Sequence, residues 1–174
     1  MKRVFLFSGW LLISQLVFAQ KKSLPECSSI ETQLSEIDNS FDNLMTKFKT
    51  TKKSSIFDQW NSDFSICGEK GTVQQIKGFP EFSFEFSGEN YNGVKSEFDS
   101  LFVHVGKQVY AFYKATHDYS IIEEDDGKSI RFYEKGKGTT LSGKSIWVKV
   151  RYKDLLTGSE LYSVLLVFEY IKPK

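Results

Sequence analysis

The chain has 174 residues, with 23 basic and 22 acidic side chains and a net charge of +1. A balance that even sets up no field to hold a polyanion, which removes nucleic acid and anionic membrane surfaces as default partners. The length suits one domain with a real core, and two cysteines and two histidines leave little material for a metal centre.

The first residues read as an export signal. Lys2 and Arg3 give a positive start, Val4 to Val17 is mostly apolar, and Val17-Phe18-Ala19 offers a cleavage junction. Cleavage after Ala19 predicts residues 1–19 as a signal peptide and 20–174 as a single globular domain. The apolar stretch, about 15 residues, falls short of the roughly 20 that span a bilayer, so no integral membrane segment is expected after processing. Glu26 directly before Cys27 argues against lipid attachment there. An exported chain of bacterial type, periplasmic or secreted, meets oxidising conditions, so Cys27 and Cys67 are expected to form a disulfide that closes a loop of about 40 residues.

Next comes a long amphipathic helix. Ser28-Ser29-Ile30-Glu31 has the form of a capping box, and Ile30, Leu34, Ile37, Phe41, Leu44, Met45 and Phe48 lie on one stripe, ending near Lys49. Ser55 is placed to cap a short second helix that carries Ile56, Phe57 and Trp60. From Phe79 the period becomes two, with Phe82, Phe84 and Phe86 on one side of a strand. Phe98–Val105 and Gln108–Thr116 flank Gly106-Lys107 as a hairpin, and Tyr119–Ile122 and Ser129–Tyr133 flank an acidic turn with Asp-Gly at its tip. A glycine-rich loop over 134–143 leads to Ile146, Val148, Val150 and Tyr152, which alternate with Trp147, Lys149 and Arg151. The last strand, Leu161–Ile171, is apolar on both faces, so one face needs a helical cover and the other a second layer or the floor of a pocket.

The fold class expected is therefore α+β: an N-terminal amphipathic helix plus a short second helix, packed on an antiparallel sheet or sandwich of about six or seven strands. No internal repeat is legible. In outline the order of elements resembles helix-plus-curved-sheet folds of the cystatin or NTF2 kind, without a shared motif.

Three patterns invite chemistry. Gly138–Ser145 matches the phosphate-loop letters G-x-x-x-x-G-K-[ST], but a phosphate loop must open a helix, and the residues after Ser145 alternate like a strand. Glu123–Gly127 lacks the ligand spacing of a calcium loop and reads as a solvated turn. His104 and His117 have no nucleophile turn near them, and bridged cysteines are neither nucleophiles nor zinc ligands. No cofactor and no catalytic residue are assigned. Trp147, Lys149 and Arg151 share one strand face, an aromatic-and-cation composition common at interfaces. The expected function is an exported, non-catalytic binding module that docks another protein through these residues, of inhibitor or immunity type. The alternative is a small-ligand or NTF2-like pocket protein, with or without catalysis.

Overall fold

The computed structural model describes residues 20–40, 50–53, 57–76, 79–136, 143–154 and 157–171. The expected signal peptide, the end of the first helical stripe and the middle of the glycine-rich loop lie outside them. The described chain runs β1 (Lys22–Ser23), α1 (Glu31–Ser40), β2 (Thr50–Lys53), β3 (Phe57–Ile66), β4 (Glu69–Ile76) and β5 (Phe79–Ser87). It continues with β6 (Tyr91–Asn92), α2 (Lys95–Tyr113), β7 (His117–Glu124), β8 (Gly127–Glu134), β9 (Gly143–Lys153) and β10 (Glu160–Ile171). The class is α+β, as the sequence predicts.

Eight strands form one antiparallel sheet in the order β2-β3-β4-β5-β10-β9-β8-β7, and β1 pairs with β6 in parallel. One succession occurs twice: a short strand, a helix, then a four-strand meander. The two halves meet where β5 pairs with β10, from Ser87 opposite Ser163 to Glu81 opposite Glu169. The repetition is one of topology and leaves no trace in the letters.

Two expected elements are replaced. The hairpin read across Phe98–Thr116 is the helix α2. Phe98, Leu101, Phe102, Val105, Val109 and Tyr113 recur at steps of three and four and are all buried, so they form a helical stripe. Gly106, read as a turn residue, faces Ile130, whose Cδ1 lies 2.9 Å from where a Cβ would sit. Here glycine permits close helix–sheet contact. The short helix read over Phe57 and Trp60 is the strand β3, which pairs with β4 from Phe57 opposite Ile76 to Ile66 opposite Glu69.

The start of α1 also differs from the capping box expected at Ser28 and Glu31. Two α2 side chains hold it instead. The Gln108 amide donates to the Cys27 carbonyl (2.5 Å) and accepts from the Ile30 N–H (2.9 Å). His104 Nε2 lies 2.9 Å from the same Cys27 oxygen, and because a carbonyl only accepts, Nε2 carries the proton. Cys27 is bridged to Cys67, with Cα atoms 5.1 Å apart. Cys67 and Gly68 form the two-residue turn between β3 and β4, at φ of 51° and 81°. Positive φ at both positions is what a tight primed hairpin turn demands.

The core lies between the helices and one sheet face. Phe82, Phe84 and Phe86 of β5 meet Val164, Leu166 and Phe168 of β10 and Ile146, Val148 and Val150 of β9, under Ile30, Leu34 and Ile37 of α1 and the α2 stripe. Phe82 and Phe84 stack edge-on with centroids 4.8 Å apart.

Candidate functional site

The alternation that sends phenylalanines to the core sends polar side chains to the opposite face of the sheet, which neither helix covers. The strand register fixes which of them become neighbours. Gln74, Glu81, Glu169, Ser145 and Tyr133 lie in one row across β4, β5, β10, β9 and β8. Thr72, Ser83, Val167, Trp147 and Arg131 form the next. Glu85, Leu165, Lys149 and Ser129 form a third, then Ser87, Ser163 and Arg151.

A groove of about 670 Å³ runs over this lattice. Leu165 and Val167 lie at its base, so the second apolar side of the last strand does floor a pocket. Thr72 and Gln74 line it from β4, Glu81, Ser83 and Glu85 from β5, and Lys149 and Arg151 from β9. Glu69, Lys70, Glu89 and Asp154 complete the charged lining.

Of the three residues singled out in the sequence, Lys149 and Arg151 line the groove, and Trp147 stands beside it. The Trp147 ring is clamped between two cations: the Arg131 guanidinium lies 4.6 Å from its centroid and the Lys149 ammonium 4.5 Å. Its indole N–H donates to Glu169 Oε2 at 2.7 Å, and Ser145 donates to the same oxygen at 3.2 Å. Glu169 and the two cations thus contact the indole at its N–H and over its ring.

Two carboxyls of the groove are held above the usual carboxylate range. Burial is the main cause for Glu81, reinforced by Glu169 and opposed by the Gln74 amide (2.5 Å), Lys149 and Arg151. Burial also leads for Glu85, with Arg151 pulling the other way and Glu89 reinforcing the rise.

The remaining candidates go elsewhere. Ser145–Lys153 is strand, so nothing helical follows the phosphate-loop letters. Lys144 points its ammonium at Asp38 of α1 (3.4 Å). His104 sits on α2, not on a strand. His117 opens β7, its ring edge-on to Tyr113 and its basicity lowered chiefly by burial. The acidic turn is Asp125-Asp126, with Gly127 already paired to Glu124 as the first residue of β8.

Glu81, Glu85, Glu169 and Arg131 escaped the sequence reading. Each stands at an alternating polar position of its strand, which was visible. Which strands adjoin was not, and β5 meets β10 across the full span of the second half. Comparison with family models, curated proteins and solved structures gives no match. Among the described residues, no helix is long and apolar enough to cross a membrane.

Proposed function

We propose that this chain is an exported, non-catalytic binding module that docks a protein partner in the groove on the sheet face opposite α1 and α2, in the manner of an inhibitor or immunity-type protein. The observation that carries the reading is the lining of the groove: Lys149 and Arg151 interleaved with Glu81 and Glu85, beside an indole clamped by Arg131 and Lys149. Mixed charge on a rigid strand lattice suits a complementary protein surface, and Trp and Arg supply the residue types that dominate such contacts. The Cys27–Cys67 bridge supports an oxidising compartment.

The test is affinity capture from the native cell envelope with the bridged chain as bait. A stoichiometric protein should be recovered. An Arg151→Glu bait should lose it, with affinity down by roughly tenfold or more. Repeated failure to recover a partner, or equal recovery by both baits, overturns the reading.

A small-ligand site is the second reading, favoured by the volume alone, since about 670 Å³ is in the usual range for ligand pockets. Against it, such pockets are mostly apolar, whereas this one is lined chiefly by charged and hydroxyl side chains.

A further inference from the structure

Among the described residues the outermost strands of the sheet are β2 and β7, and they differ. β2 is four residues long, ends in Lys52 and Lys53, and its pairing slips between Thr50 and Lys52. Short length, lysines and a bulge are the ordinary ways a sheet edge is blunted against pairing. β7 is neither short nor bulged and carries no lysine, its charges being Asp118, Glu123 and Glu124. It runs eight residues and pairs with β8 without a slip, from His117 opposite Glu134 to Glu124 opposite Gly127.

Exposed apolar side chains gather at that same edge. Tyr119 is 51% exposed and Ile121 62%, and α2 sets Val103 and Tyr110 beside them at 44% and 47%. Tyr110 and Tyr119 meet edge-on at 5.4 Å, and a shallow groove of about 200 Å³ lies between α2 and the strand. Contiguous exposed apolar surface on a soluble domain marks an interaction site more often than chance.

We propose that β7 is a self-association edge: a second copy docks antiparallel on it, Ser120 opposite its own counterpart, and two eight-stranded sheets continue into one. Side chains opposite each other in an antiparallel pair share a face. This register therefore sets Tyr119 against Ile121 of the second copy, twice, on the side of the α2 groove.

The charges are compatible with the same arrangement. Asp118 falls opposite Ile122, Glu123 opposite His117 and Glu124 opposite Thr116, so no carboxylate faces another. Centring the pair on Ile121 would place Asp118 against Glu124 twice, and in-register parallel pairing would stack every acid on itself. The ends of the strand complement each other too. The end of β7 and the turn after it, Glu123–Asp126, carry four carboxyls, with Lys128 across from Glu123. At the other end, Lys135 donates its N–H to Thr116 (3.0 Å) and its ammonium to the Lys114 carbonyl (2.9 Å), so two lysines flank Thr116. Glu134 and Asp118 offset part of their charge. Antiparallel docking brings each acidic turn to this lysine-bearing end and away from the other acidic turn.

Sedimentation of the bridged chain across the micromolar range should show a dimer. Ile121→Lys should weaken it by about tenfold while circular dichroism stays unchanged, since the residue is mostly exposed. Ser120→Cys should link to itself on mild oxidation, because only residue 120 meets its own counterpart. Glu123→Cys should not, its two copies lying about 20 Å apart. A monomer throughout, a dimer that survives Ile121→Lys, or a dimer that Ser120→Cys fails to link overturns the proposal. If Ile121→Lys does not fold, the pair of cysteine variants still decides it.

Discussion

At Gly71 of β4 an added Cβ would lie 2.4 Å from the Phe82 ring, which is fully buried and edge-on to Phe84. The ring has no space to retreat into. Gly71→Ala should therefore cost about 1–3 kcal/mol through overpacking, read as a lower denaturant midpoint. Glu81 makes the opposite kind of prediction. Its folded-state pKa is raised, mainly by burial. The native state thus holds its proton to higher pH than the unfolded chain does. Its stabilising contribution is complete below the ordinary carboxylate pKa and is lost as pH rises through the folded value. Glu81→Gln keeps an acceptor for Gln74 and removes the charge. At neutral pH it should raise stability by about 0.5 kcal/mol or less, since the group is only half-buried. The advantage should shrink as pH falls towards 4 to 5. An advantage that persisted unchanged at low pH would mean that burial of the charge was not its source.

At the scale of elements, legibility tracked how local each signal was. β5, β9 and β10 could be read from alternation alone, because Phe82, Phe84 and Phe86, or Ile146, Val148 and Val150, repeat at the period that the pleat imposes. α2 reads as a hairpin because the segment carries Val103, Val105 and Val109, whose branching favours strands, and because Gly106-Lys107 has the letters of a turn. Packing settled the matter: only a helix buries Phe98, Leu101, Phe102, Val105 and Val109 together while presenting Gly106 to Ile130. β3 was misread for the reverse reason, since Phe57 and Trp60 lie a helical step apart. The candidate site was half legible. Lys149 and Arg151 followed from one strand's alternation. Their neighbours Glu81, Glu85 and Glu169 required a pairing between distant strands, and Arg131 required the β8–β9 register.

For the molecule as a whole, the bridge is the one covalent tie between the start of the chain and the first meander. Closing a loop of 40 residues should be worth about 4 kcal/mol in the chain-entropy account. Replacing both cysteines by serine should lower stability by about that amount and increase the denaturant slope, because the unfolded chain is then free to expand. A loss below about 1 kcal/mol would show that Gln108 and His104 hold the start of α1 without help. The two proposed surfaces also combine. Antiparallel pairing at β7 relates the copies by a two-fold axis normal to the sheet, so both faces opposite α1 and α2 lie on the same side. A dimer would then offer two grooves in one direction, and a partner with two matching surfaces would bind it with an avidity that neither groove has alone.

The β5–β10 seam has a consequence in time. The strand that joins the halves is the last one described, and it inserts between β5 and β9, pairing with residues roughly eighty positions earlier. Without β10, the first meander would end in an unpaired β5 and the second in an unpaired β9. If the chain is exported as proposed, an amino-first passage would deliver α1, α2 and seven strands of the sheet before the eighth. The pairing that joins the two halves would then be the last of the sheet to become available.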